Sequence, residues 1–167
     1  MLQLKVDDLL DFSEIRITDE NGETRTYNID EELKVNEFSI RKAFLEQPSK
    51  YAYWSSVLEK LKLYQESYEL QLSTKKADLY DPTRKELIDN GIQRPTKDQI
   101  EAMILTDEEV QRLSKAVVAM NYNVRRISAF TKAVEQRKDM LVQYGADLRR
   151  DVEYNRKIST PQPPETN

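Results

Sequence analysis

The chain of 167 residues contains no cysteine and no histidine, and it has only three glycines. These absences exclude thiol and imidazole nucleophiles, Cys/His zinc sites, disulfides and glycine-rich phosphate loops. No apolar run approaches the roughly 20 residues that a transmembrane helix requires. We therefore expect a non-enzymatic protein without metal, cofactor or membrane association, located in the cytoplasm, or in the host cytoplasm if it is viral.

Charge is distributed unevenly, although the net charge is only −4. Residues 1–47 hold 6 basic and 12 acidic side chains, whereas residues 110–157 hold 11 basic and 5 acidic ones. Residues 110–133 include no acidic side chain at all. Such a segment is neutralised either by an acidic protein surface or by phosphates, and the composition leaves both alternatives open.

An apolar seam in alternating steps of three and four runs from Val110 to Leu148. This spacing predicts a coiled-coil-like helix, and residues 49–80 repeat it. Helices of this length need a partner helix, from the same chain or from another copy, and we predict a homo-oligomer. The residues assigned to its seam are Trp54, Leu61, Val117, Val124, Ile127, Val134 and Leu141.

The N-terminal region has the alternation typical of β-structure. Strands are predicted at residues 14–18 and 23–29, joined by a type I′ turn at Asn21-Gly22, with a possible third strand at residues 2–6. A short helix should follow from Asn36 and end at Pro48, with its apolar side chains, including Phe38, facing inward.

The connector between the long helices carries further helix signals. Pro82 should kink or end the first long helix. Thr96 with Gln99 predicts a capping box for a short helix, and Thr106 with Glu109 predicts another for the C-terminal helix.

The expected fold is mainly α: a long antiparallel helical hairpin, coiled-coil-like, with an N-terminal β-hairpin. The predicted domains are an acidic head at 1–46, a helical assembly and binding domain at 47–158, and a disordered tail at 159–167.

Basic side chains cluster around Pro82 and along the C-terminal helix. Tyr51 and Trp54 could stack on unpaired bases, but their spacing favours a core position. The candidate phosphate contacts are Lys75, Lys76, Arg84, Lys85, Arg125, Arg126, Lys132, Arg137 and Lys138.

Two stretches, QPSKYAYW at 47–54 and AFTKAVEQRKDMLVQYGADLR at 129–149, carry a likeness to a known family. Over about residues 47–150 the chain resembles UvsY-like bacteriophage recombination mediators. The resemblance implies a helical, ring-forming oligomer that binds single-stranded DNA and helps a recombinase displace the single-strand-binding protein. It also implies strand contacts at Lys75 and Lys76, and less directly at Arg84 and Lys85.

Two hypotheses follow from the sequence. The first is a recombination mediator, active in DNA recombination and repair, whose partners are single-stranded DNA, a recombinase, the single-strand-binding protein and copies of itself. The second is a structural or scaffold oligomer of a phage or assembly apparatus, whose basic helix binds only acidic protein. Salt-dependent retention on single-stranded DNA distinguishes them.

Overall fold

The computed structural model describes residues 13–18 and 21–159, and they are mainly helical. The prediction of a mainly α fold with an N-terminal β-hairpin and long helices is confirmed. The elements are β1 (Glu14–Thr18), β2 (Thr24–Asn28), α1 (Ile29–Leu33), a 3-10 turn (Glu37–Ser39), α2 (Ile40–Asp89), α3 (Lys97–Ile104) and α4 (Glu108–Ser159).

The β-hairpin has the predicted antiparallel pairing, in which Thr18 pairs with Thr24. Gly22 has a φ of +84°, a conformation that favours glycine. Residues 19–20 of the connection lie outside the described residues, so the type I′ turn at Asn21-Gly22 stays a prediction. The possible third strand at 2–6 and the tail from residue 160 onward lie outside the described residues.

Helix α2 runs without interruption through Pro48 and Pro82. The predicted helix end at Pro48 is therefore wrong. At Pro82 a kink or an end was predicted, and the helix does not end there. A proline inside a helix costs about 3 kcal/mol, because it removes one hydrogen bond and crowds the preceding turn. Both prolines are exposed, so water can reach the carbonyl groups that they leave unbonded. Buried side chains lie on both sides of each, such as Trp54 after Pro48 and Leu87 after Pro82. We infer that this burial outweighs the local cost. Phe38, predicted to face inward, is 97% exposed.

The described part of the chain forms two compact units. Unit 1 combines the described residues up to Trp54 with those from Phe130 onward. Unit 2 is the continuous segment Ser55–Ala129. The β-hairpin thus belongs to the same compact unit as the first part of α2 and the last part of α4, and the domains 1–46 and 47–158 stay a prediction.

Unit 1 is an antiparallel pairing of α2 and α4 on which the hairpin packs. The Trp54 ring lies 4.5 Å from that of Phe130, and Gln47 Nε2 donates to the Val134 carbonyl at 2.5 Å. Gln47 precedes Trp54 in α2, whereas its partner Val134 follows Phe130 in α4. The two helices are therefore antiparallel. Tyr27 of β2 meets Trp54 edge-to-face at 5.0 Å, which attaches the hairpin to α2.

Unit 2 has its own apolar cluster, to which α2, α3 and the start of α4 all contribute. Its buried members are Leu87, Ile100, Ile104 and Val110. Partly buried side chains surround them, including Leu79 and Tyr80. This cluster fixes α3 against α2, and the pairing positions the groove described below.

The predicted capping box of α3 is confirmed, whereas the box predicted for α4 is wrong, because a single cap one residue later takes its place. Thr96 Oγ1 accepts from the Gln99 amide, and the Gln99 side chain accepts from the Thr96 amide. At α4 the capping acceptor is Asp107, whose Oδ1 accepts from Val110 N at 2.9 Å. Thr106 instead donates to the Met103 carbonyl at the end of the preceding turn.

The residues predicted to form a seam between copies are largely buried within one chain. A side chain that is buried within its own chain offers little surface to a second copy, and the assignment of these residues to an oligomer seam stays a prediction. Trp54, Leu61, Ile127, Val134 and Leu141 are 0–1% exposed, and Val117 and Val124 are half-buried.

Candidate nucleic-acid interface

One exposed face of α4 lies within the stretch that lacks acidic residues. Lys115, Val118, Tyr122 and Arg125 follow one another in steps of three, four and three. At 3.6 residues per turn they occupy an arc of about 80°, opposite the buried positions of the seam, and extend over about 15 Å of helix. We name these four residues the α4 face.

The α4 face combines positive charge with exposed apolar surface. Tyr122 is 45% exposed and Val118 is 68% exposed, and both cations are exposed. Within the described ranges, neither Lys115 nor Arg125 has a carboxylate within ion-pair distance. A surface of two cations beside an aromatic ring can contact phosphates and stack on a base at the same time.

The four predicted cations of α2 do not form one patch. Helix α2 does not end at Pro82, so all four cations lie on one helix. Lys75 and Arg84 are nine residues apart and therefore point to opposite sides of the helix. Lys76 and Lys85 show the same separation. Arg84 and Lys85 are exposed, whereas Lys75 and Lys76 are half-buried.

Lys75 lies close to an ion pair at the start of α4. Arg112 donates to both carboxylate oxygens of Glu109, at 2.6 and 2.7 Å. This hydrogen bonding, with a smaller contribution from the charge of Lys75, lowers the pKa of Glu109. Arg112 is thus neutralised by its own helix, and we exclude it from the α4 face.

Arg137 occupies a structural position rather than a surface one. It is 6% exposed, and it donates to the carbonyls of Leu33 at 3.1 Å and Lys34 at 3.3 Å and to Gln47 Oε1. The two carbonyls lie at the end of α1, where the negative end of the helix dipole favours a cation. Because this guanidinium is enclosed by its own chain, we remove Arg137 from the candidate phosphate contacts.

The remaining predicted contacts are divided between the units. Arg126 in unit 2 is half-buried, and Lys132 in unit 1 is exposed. Lys138 in unit 1 is also exposed, and its Nζ lies 3.7 Å from Asp139 Oδ1. Both side chains are solvated, so this ion pair is weak.

A groove in unit 2 lies where α3 packs beside α2. Its volume is about 370 Å³. Lys97 Nζ, on its rim, is 3.5 Å from Glu101 Oε1, and both side chains are more than half exposed. Side chains that line the groove include Lys76, Tyr80, Lys97, Glu101, Ile104 and Leu105.

Sequence reasoning missed Tyr122, Tyr80 and Lys97. Tyr122 carried a usable signal, because it lies in the acid-free stretch and out of phase with the seam. Tyr80 and Lys97 carried no signal in the sequence, because only tertiary packing brings α3 to this part of α2.

Neither a metal site nor a membrane-spanning helix is found in residues 13–18 and 21–159. No group of three or more acidic side chains is placed to hold a metal ion there. No helix in those ranges is both long and apolar enough to cross a bilayer. No protein family, curated protein or solved structure matches the chain.

Proposed function

We propose that the protein is a single-stranded-DNA-binding recombination mediator that acts as a homo-oligomer. The observation that carries this proposal is the α4 face, on which Lys115 and Arg125 flank the exposed ring of Tyr122. The cations attract phosphates without regard to sequence, and the ring stacks on any base, which suits a protein that must accept every strand.

In this mechanism the protein acts through geometry and charge alone. A strand held along α4 keeps its bases unpaired and its phosphates neutralised. The recombinase then receives a strand that the single-strand-binding protein no longer covers. The likeness of residues 47–54 and 129–149 to UvsY-like mediators supports this role and these two partners.

The first test removes the two cations of the α4 face. We expect Lys115→Ala with Arg125→Ala to weaken binding to all single strands and to lower the slope of log affinity against log salt by about 1.4, or 0.7 per phosphate contact. Fluorescence anisotropy of a labelled oligonucleotide at several salt concentrations measures both quantities.

The matched control is Lys60→Ala with Lys62→Ala, which removes the same charge from exposed positions of α2 in the same unit. If both double variants lost the same affinity for single-stranded DNA, net charge alone would explain the effect. That result would contradict the assignment of the binding site to the α4 face. A wild-type protein that is not retained on single-stranded DNA at low salt would support the scaffold alternative instead.

The mediator role itself needs a functional assay. On strands precoated with single-strand-binding protein, the protein should shorten the lag before a recombinase assembles. The Lys115→Ala, Arg125→Ala variant should lose this effect at concentrations where the control variant retains it. A protein that binds DNA yet leaves the lag unchanged would be a DNA-binding scaffold.

The far end of α4 supports the proposed assembly. Phe44 packs on Gly145, and α2 begins only one turn before Phe44, whereas α4 continues to Ser159. Leu148 and Val152 continue the seam beyond that point and are 36% and 67% exposed. We propose that a second copy covers this continuation, since it has the same spacing as the part that α2 covers.

A charge on this segment should prevent self-association. We expect the Leu148→Asp, Val152→Asp variant to show a lower mass than wild type by light scattering at micromolar concentration, because each substitution buries an unpaired carboxylate in the interface. Val118→Asp, on an equally exposed valine in unit 2, is the control. A monomeric wild-type protein, or an unchanged mass in the double variant, would contradict this interface.

A further inference from the structure

The groove of unit 2 has the chemistry of a nucleotide site. Tyr80 and Ile104 form an apolar wall, and Leu105, which is 52% exposed, continues that wall to the surface. Lys76 and Lys97 place two ammonium groups on the same groove. One acidic residue, Glu101, lines it as well, and it is within ion-pair distance of Lys97.

Each part of this lining matches one part of a nucleotide. The two lysines are suited to a phosphate, which carries the opposite charge and accepts several hydrogen bonds. The Tyr80 ring and the Leu105 side chain are suited to the face of a base. The volume of about 370 Å³ lies at the lower end of the range for small-ligand sites, which fits a single nucleotide better than a duplex or a folded partner.

We propose that this groove takes one nucleotide out of the bound single strand, with its base against Tyr80 and Leu105 and its phosphate between Lys76 and Lys97. The inference rests on the proposed function, because it assigns a second contact point to the same ligand. It places Lys97 and Tyr80, which come from different helices, in one binding site. A strand anchored at this site could not slide freely along the protein.

The test separates the base from the phosphate. The probes are an oligodeoxycytidine and an abasic oligomer of equal length, which keeps the phosphates and lacks the bases. We expect Tyr80→Leu to weaken binding of the oligodeoxycytidine by about five- to a hundredfold, the effect of one lost base stack, and to leave the abasic oligomer unchanged. Lys97→Ala should weaken both probes.

Matched variants control for fold and charge. Tyr64→Leu replaces another half-buried tyrosine of α2 outside the groove, and Lys60→Ala removes an exposed lysine. Both should bind as wild type. Tyr80→Phe keeps the ring and should also bind normally, which assigns any loss in Tyr80→Leu to the ring and not to the hydroxyl. Unchanged binding of the abasic oligomer shows that Tyr80→Leu is folded.

Two failures are distinguishable. If the wild-type protein binds neither probe, the proposed function fails and the groove loses its ligand. In the second case the wild-type protein binds oligodeoxycytidine and the Lys115→Ala, Arg125→Ala variant does not. If Tyr80→Leu and Lys97→Ala then bind normally, only the assignment of the groove is overturned.

Discussion

Replacing Trp54 with alanine is expected to destabilise unit 1 by about 3–5 kcal/mol, the usual loss for a large aromatic side chain removed from a core. Trp54 is 1% exposed, and its ring meets those of Tyr27, Tyr53 and Phe130 at 4.5–5.2 Å. The substitution therefore removes the contact between the hairpin and α2 together with part of the contact between α2 and α4. Urea unfolding followed by circular dichroism measures the loss.

The neighbouring tyrosine provides the comparison. Tyr51 is 40% exposed, and Tyr51→Ala should cost less than about 1 kcal/mol, as is common for surface positions. A loss below 1 kcal/mol for Trp54→Ala would mean that the hairpin and α4 are held to α2 by other contacts. It would also support the prediction that the head is a separate domain.

Arg137→Met is expected to cost about 3 kcal/mol, since it takes the guanidinium donor away from three acceptors, one of them buried and two partly buried. These are the carbonyls of Leu33 and Lys34 and the side-chain oxygen of Gln47. Methionine keeps most of the side-chain length and flexibility, so the loss reports on the hydrogen bonds more than on a cavity. Thermal and urea unfolding measure the change in stability.

Lys138→Met tests the same change one residue further along α4. Lys138 is exposed, so this variant should unfold like wild type. Under conditions where both variants are folded, Arg137→Met should bind single-stranded DNA normally. A folded Arg137→Met variant that binds DNA weakly would restore Arg137 to the phosphate surface.

The sequence predicted the long helices because their seams repeat over many turns. The same repeat could not give the helix ends, since a local penalty at Pro48 or Pro82 competes with burial that comes from distant residues. The prediction ended a helix at Pro48 and placed a kink or an end at Pro82 because only the local cost is visible in a sequence. The hairpin strands were predicted from alternation, and their antiparallel pairing is confirmed.

Arg137 and Lys138 show that neighbouring cations on one helix can have different roles. Both were predicted to contact phosphates, whereas the structure buries Arg137 and exposes Lys138. The sequence could not separate them, because the acceptors that enclose Arg137 come from α1, its C-terminal end and α2. Of the candidate site, the cations of the acid-free stretch could be predicted from composition. The groove could not, because Lys76 and Lys97 meet only through the packing of α3 on α2.

The division of the chain between the two units also sets the order in which contacts become available during synthesis. Unit 2 is continuous in sequence, so all of its residues have been made once Ala129 is added. Unit 1 is completed later, because Leu33 and its hydrogen-bond partner Arg137 are 104 positions apart. Translation that stops before Phe130 would thus leave the hairpin and Trp54 without the part of α4 on which they pack.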